Sequence, residues 1–267
     1  MKVIGTVEMN DRPATYPVRR YDREGCFQDA DASIPEETLL SVYVNDIRTM
    51  QLGCSANRLV ELVVGRLFSE GLIASVGEID AISVCENAMR ADVSMTDRDA
   101  DLSAEANAAV PTCCTNNRVL NNYFVRPEKM EAVTPIQWSP DQVFAMADAF
   151  ARDYESQGRM LGTHSAYLWK GSELQGRFED IGRHNALDKA IGFALVEDID
   201  LSRCALFTSG RVPTDMVAKA VRSHVPLLIS KAYPTDKTIE AARRYRLTLI
   251  CGVSCDSMEV FNDPSLA

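Results

Sequence analysis

Two cysteines stand side by side at Cys113 and Cys114, in VPTCCTNN, after a proline, before two asparagines and outside any helical or strand period. A thiol in such a setting is a nucleophile, half of a metal site or an inward-facing small hydrophobe, and residue type alone leaves all three open. A second concentration of reactive side chains is EDIGRHNALDKAIG, residues 179–192, which compresses Asp180, Arg183, His184, Asn185 and an Asp188–Lys189 pair into a strand end and the first turns of a helix. His184 and Asp188 are four residues apart and share one helical face near an N-terminus, where backbone N–H groups favour an anion. The competing reading is an internal network, with Asp180 as a cap and Asp188 paired with an Arg or Lys. Ser209-Gly210-Arg211 and Pro234-Thr235-Asp236 repeat this grammar at two further strand-to-helix junctions. Ligands of open α/β sheets sit beyond the carboxyl ends of the strands, so the three junctions point to a pocket for a compact anion.

Several familiar sites are missing. There is no GxxxxGK[ST] loop and no GxGxxG turn after a strand, so a nucleotide would not be held by a P-loop or a Rossmann turn. No CxxC occurs and none of His164, His184 and His224 opens the HxE motif of a zinc deaminase. Cys251 and Cys255 have CxxxC spacing but no second pair, so no structural metal is expected.

The elements that must carry these groups follow from composition and period. A chain of 267 residues with 46% hydrophobic content is long enough for a sizeable core in one large or two modest domains. The net charge of -10 argues against a nucleic-acid polymer as partner. Between Arg159 and Arg246, however, 14 Lys+Arg face 10 Asp+Glu, a basic half that suits a nucleotide or its pyrophosphate. MKVIGTVEMNDR lacks the apolar core of a signal peptide and no window nears 18 uninterrupted apolar residues, so a cytoplasmic protein without membrane contact is expected. The eight cysteines lack framework spacing and are expected to be thiols, most of them small buried hydrophobes.

LLSVYVNDIRTMQL, residues 39–52, predicts a hairpin turning at Asn45-Asp46. Ser55 is placed to cap a helix in which Leu59, Val60, Val63, Val64 and Leu67 recur at helical spacing, with Gly71 beyond its end. Met89 to Ala109 reads as irregular. Ser139, Pro140 and Gln142 supply an N-cap, an N1 proline and a capping-box partner for a helix bearing Val143, Ala147, Phe150 and Tyr154. After it, strands and helices alternate to the end: strands THSAYLW and ELQGRFED, a helix from 183 to 195, strand CALFTS, a helix over 213–223, strand VPLLIS, a helix over 235–244, and strands LTLICGV and MEVF. Such alternation predicts an α/β layered sheet with helices on its faces. The boundary is placed at residue 134, giving 1–134 as a smaller N-terminal α+β part with the hairpin, the first helix and the cysteine loop, and 135–267 as an α/β domain.

In order and spacing, ANRLVELVVGRLFSEGLI, GTHSAYL, EDIGRHNALDKAIG, SGRVPTDMVAKA and YPTDKTIEAA resemble the formate dehydrogenase accessory sulfurtransferase family, FdhD, from about Leu39 to Phe261. The resemblance implies a cytidine deaminase-like three-layer α/β/α domain without its zinc, in a cytoplasmic homodimer. It implies an activity as well: taking sulfane sulfur from a cysteine desulfurase as a cysteine persulfide, and passing it to the molybdenum bis(guanylyl molybdopterin) cofactor for formate dehydrogenase. TCCTNN aligns with the family's TGCGxCG loop so that Cys114 falls on the carrier position and Cys113 on a glycine, with Cys113 as the fallback nucleophile. The family's second cysteine falls on Asn117, which removes an intraloop dithiol relay. Asn116 and Asn117 tolerate left-handed backbone and partly replace the family's glycines. The resemblance further implies that His164, Asp180, Arg183 and His184 shape the pocket, and that Ser209, Arg211 and the turn Gly252-Val253-Ser254-Cys255-Asp256-Ser257 hold the guanylyl end. In that turn serines stand where the family has basic residues, so the positive charge is expected from Arg183, Arg211 or Lys231, with the turn's backbone N–H groups assisting. The rival implication is a non-catalytic cofactor-binding chaperone whose altered loop moves no sulfur.

Overall fold

A computed structural model describes residues 1–4, 14–85, 89–97, 109–110, 130–156 and 162–265. Strand β1 (Lys2–Ile4) opens the chain. β2 (Ala14–Tyr21) and β3 (Phe27–Ile34) pair only with each other, as a two-stranded ribbon. β4 (Thr38–Val44) and β5 (Ile47–Cys54) are the expected hairpin, and both Asn45 (φ 47°) and Asp46 (φ 67°) take the left-handed conformation that a two-residue turn needs. β6 (Ile79–Val84), β7 (Arg90–Met95) and β8 (Ala109–Val110) complete a sheet of order β1-β6-β7-β4-β5-β8. β7 corrects the irregular reading of Met89–Ala109. Ala91, Val93 and Met95 alternate inward, but only pairing with β4 on one side and β6 on the other makes so short and polar a run a strand.

Helix α1 (Leu59–Ser69) buries nearly its whole length. Its N-cap is Arg58 (φ 47°), not Ser55. Ser55 is diverted to tertiary work: its N–H donates to Asp180 and its hydroxyl accepts from the Ile181 N–H. At the other end Gly71 (φ 78°) closes the helix as expected, with the Leu72 N–H returning to the Leu67 carbonyl.

α2 (Pro140–Ser156) begins with the expected capping box, the Ser139 N–H donating to Gln142 and the Gln142 N–H to the Ser139 hydroxyl. Strands β9 (His164–Lys170), β10 (Glu173–Asp180), β11 (Cys204–Thr208), β12 (Leu227–Ser230), β13 (Thr248–Cys251) and β14 (Glu259–Asn262) form the second sheet, in the order β10-β9-β11-β12-β13-β14. Between them run α3 (Arg183–Val196), α4 (Thr214–Arg222) and α5 (Asp236–Arg244). Period-two alternation sorts the strand side chains. Tyr167, Trp169, Phe207, Leu227 and Ile229 meet α2 through Val143, Met146 and Phe150. Ala166, Leu168, Leu206, Leu228 and Leu249 join the cluster that contains α3, α4, α5, α1 and the first sheet. The second sheet is therefore covered by helices on both faces, and the chain is a mixed α/β protein.

The two sheets meet through α1 against α3, and this contact is close enough to exclude side chains. A Cβ on Gly65 would overlap the backbone carbonyl of Asp188, and one on Gly192 that of Glu61. Gly192→Ala is expected to cost roughly 3 kcal/mol by forcing the helices apart, a fall in Tm of about 6–12 °C by thermal melt. Gly77→Ala, where a Cβ meets only the Ser75 hydroxyl at 3.4 Å, should leave Tm within about 1 °C.

Candidate functional site

Strand direction gathers the predicted residues at one edge. β11, β12 and β13 run parallel, while β9, β10 and β14 each run antiparallel to a neighbour, so the start of β9 lies at the same edge as the ends of β10 through β13. His164, Asp180, Ser209–Arg211, Lys231 and the turn 252–257 are thus neighbours in space although far apart in sequence. Main-chain bonds stitch these loops: Ser209 N–H to Ser165 O (3.0 Å), Lys231 N–H to Thr208 O (3.2 Å) and Val253 N–H to Ser230 O (3.1 Å). The Ser209 hydroxyl accepts from the Ser165 N–H at 2.9 Å and lies 3.4 Å from His164 Nδ1.

Gly210 has a steric reason. A Cβ there would press on the Arg183 side chain at 2.8 Å, so glycine lets Arg183 lie across the β11–α4 loop. Arg211 and Lys231 are exposed at the same edge, the latter with its ammonium 5.1 Å from the Phe150 ring centre. The 252–257 turn differs from expectation in its main chain. The N–H groups of Gly252, Val253, Ser254, Asp256 and Ser257 donate to Ala232 O, Ser230 O, Ser257 O and, for the last two, the Ser254 hydroxyl. These five donors are spent within the fold. Tyr233, 55% exposed, packs its ring over Gly252 and donates from its hydroxyl to Glu259 (2.7 Å).

Beneath the edge, Asp180 and Asp188 form the internal network rather than a ligand face. Asp180 is fully buried and ion-paired to Lys189 (2.7 Å), and it accepts from Gly182 N–H, Asn185 Nδ2 and Ser55 N–H. Lys189, equally buried, also donates to Asn57 and to the carbonyls of Ser55 and Glu179. Asp188 does not share a ligand with His184. Its carboxylate is 2.7 Å from Lys219 and 3.1 Å from Arg66 and accepts from the Ser69 hydroxyl at 2.8 Å; Glu70 lies 3.2 Å from Arg66. Burial pushes the Asp188 carboxyl up, and Lys219 and Arg66 outweigh it, holding the group below its ordinary range. His184 instead turns to α4, its Nε2 2.7 Å from Asp215. Burial likewise opposes ionisation of Asp215, and the hydrogen bond and charge of His184 hold it low. Asp215 was overlooked as a site residue, because a helix-opening aspartate reads as a cap until tertiary structure brings His184 to it.

Cys113 and Cys114 lie outside the described residues. Of the six described cysteines, Cys54, Cys204 and Cys251 are buried, Cys85 is half-buried, and Cys26 and Cys255 are exposed, fewer inward than expected. Burial, then the charge of Asp180, pushes the Cys54 thiol up to about 12. Burial raises Cys251 to about 12 and Cys204 to about 11. These three remain protonated at neutral pH and are poor nucleophiles.

The chain and its fold have known counterparts. The model of the FdhD/NarQ family matches residues 35–266, and the chain belongs to that family. It is 29% identical over 254 residues to the sulfur carrier protein FdhD of Listeria innocua, covering 92% of this chain and 95% of that one. It is 31% identical over 242 residues to the protein of the same name from Bacillus pumilus, covering 90% and 92%. Its fold matches the crystal structure of a chain from Desulfotalea psychrophila described as a formate dehydrogenase accessory protein, with a TM-score of 0.75 at 24% identity over 95% of this chain and 98% of that one.

Asp188→Asn removes the charge that both Lys219 and Arg66 face, at an expected cost of about 3–5 kcal/mol. Because Asp188 and Asp215 have folded-state pKa values below the ordinary 3.8, their stabilisation is complete above that value and is lost as pH falls below it. Thermal melts from pH 3 to 7 should show the wild-type protein losing Tm below about pH 4, and Asp188→Asn starting lower at pH 7 with a shallower acid limb.

Proposed function

We propose that this protein is a sulfur carrier for formate dehydrogenase maturation, acting as a cytoplasmic homodimer. The thiolate of Cys114 attacks the sulfane sulfur of a cysteine desulfurase persulfide; the new S–S bond forms on Cys114 as the S–S bond of the donor breaks, and the donor thiolate leaves. Cys113 is the fallback nucleophile. The S–S bond on Cys114 would then break as the outer sulfur passes to the molybdenum bis(guanylyl molybdopterin) cofactor as acceptor, with Cys114 leaving as thiolate and the two electrons coming from the reduced acceptor or an added thiol; the cofactor's phosphates suit the edge bearing Arg183, Arg211 and Lys231, with His164, His184, Ser209 and the 252–257 turn around it. The curated relatives matched along nine-tenths of the chain are named sulfur carriers, in keeping with this reading.

One structural observation carries it. β8 runs parallel to β5 with Val110 beside Leu52, and β5 continues into Gly53 and Ser55, whose backbone bonds to Asn185 and Asp180 at the edge just described. Cys114 is four residues beyond Val110, a reach of at most about 14 Å. β8, the last described strand before the cysteines, thus runs in the same direction as β5, toward the residues that bond Asn185 and Asp180.

The pair lacks a CxxC partner, since Asn117 stands at that spacing, and this favours the second reading, a chaperone that binds cofactor without moving sulfur. Mass spectrometry after incubation with desulfurase and cysteine separates the two. The carrier reading expects one added sulfur on the peptide containing Cys114, loss of transfer to background in Cys114→Ala, and retention in Cys113→Ala. If the double Cys→Ala variant still matures formate dehydrogenase fully, the chaperone reading replaces it.

A further inference from the structure

Most buried acids of this protein face a lysine or an arginine: Asp180 pairs with Lys189, Asp188 with Lys219 and Arg66, and Glu70 with Arg66. Asp215 is different. Its Oδ2 lies 2.7 Å from Nε2 of His184, and histidine is the side chain whose charge changes near neutral pH. Among the described residues the buried charge-bearing side chains are three cations, Arg66, Lys189 and Lys219, four acids, Glu70, Asp180, Asp188 and Asp215, and His184. With a neutral imidazole the interior keeps one uncompensated negative charge, which burial strongly opposes. With an imidazolium the two signs balance. The surroundings agree with that count. Of the charges that act on Asp215, His184 is the strongest, ahead of Lys219 and then Arg183, and together they overcome burial to hold the carboxylate ionised. The cations nearest an imidazolium are themselves engaged. On α4, Lys219 is held by Asp188; on α1, Arg66 lies between Asp188 and Glu70; on α3, the side chain of Arg183 runs out across Gly210.

We propose that Asp215 is a positioning residue: it holds His184 as an imidazolium that donates from Nε2, and so adds a proton-dependent positive charge to the loop edge where Arg183 stands. Both partners open helices at that edge, His184 in the first turn of α3 and Asp215 in the first turn of α4, so the charge is fixed by the packing of the two helices. It serves a phosphate-bearing ligand, a role that rests on the anion site of the proposed function. The charge state itself rests only on the contact and on the balance of buried charges.

The chain has three histidines, His164, His184 and His224, so the imidazole Cε1–H signal of His184 can be assigned by its absence from His184→Gln and followed by NMR across neutral pH. In wild type its midpoint should lie at least about one pH unit above the roughly 6.5 of an unperturbed histidine. Asp215→Asn should lower that midpoint by at least about one unit, and Asp215→Glu should restore most of it. Asp215→Asn leaves three buried charges of each sign around a neutral imidazole and should fold. His184→Gln leaves the fourth acid uncompensated and should melt lower, with the double variant His184→Gln/Asp215→Asn recovering. Guanosine diphosphate is the probe for the ligand role. By calorimetry, wild type should bind it about tenfold more tightly than the double variant while His184 is charged. The ratio, from which the ligand's own titration cancels, should fall to about one as pH rises through the His184 midpoint. A wild-type His184 that is neutral at pH 7 overturns the proposal outright. A charged His184 with a ratio of one at every pH overturns the ligand role and reduces the contact to an internal ion pair. No binding of the probe by wild type at any pH overturns the anion site and the ligand role together, separately from the charge state read by NMR.

Discussion

The architecture depends on one buried ionic cluster, Asp188 of α3 held by Lys219 of α4 and Arg66 of α1, with Glu70 completing the balance of two cations and two anions. Asp188 and Lys219 are fully buried, where a lone charge costs several kcal/mol and pairing must offset that loss. Each member is tolerable only because the others are in place, so three helices are bound to a single mutual arrangement. The glycines at 65 and 192 permit it: backbone contact between α1 and α3 brings Arg66 within 3.1 Å of a carboxylate that side chains at the crossing would hold away.

This constraint reaches the loop edge because the same helices begin there. α3 starts with Arg183 and His184, and α4 with Thr214 and Asp215, so fixing α3 against α4 also fixes the His184–Asp215 contact and the passage of Arg183 over Gly210. A second buried pair, Asp180 with Lys189, ties the end of β10 to the segment after β5. The positive groups at the edge thus stand on a frame whose acids are already neutralised from within. The carboxylates of Asp180 and Asp188 are turned inward, while Arg211 and Lys231 are exposed.

The thiols divide in a similar way. Burial keeps Cys54, Cys204 and Cys251 protonated in the sheets, where they serve as packing. Sulfur exchange needs a thiolate that can meet two reactants in turn, and a strand interior offers neither ionisation nor access.

Period and punctuation alone determined much of this protein. The alternating strands and helices from Pro140 onward, the Asn45-Asp46 hairpin, the Ser139 capping box and the closing Gly71 were all legible, because each is set by local backbone preference and by a face that must be buried. The placing of Ser209-Gly210-Arg211 and Pro234-Thr235-Asp236 at strand-to-helix junctions also followed from strand-helix alternation. What sequence could not determine were the choices made by distant partners. Ser55 has the residue type of a cap, yet Asp180 and Ile181, some 125 residues on, claim it. RADVSM is too short and polar to announce a strand until β4 and β6 flank it. His184 and Asp188 share a helical face at four-residue spacing, but α4 draws one to Asp215 and the other to Lys219. Local energies of a kcal/mol or less yield wherever burial would leave a charge or a backbone donor without its partner, and only the tertiary structure says where that happens.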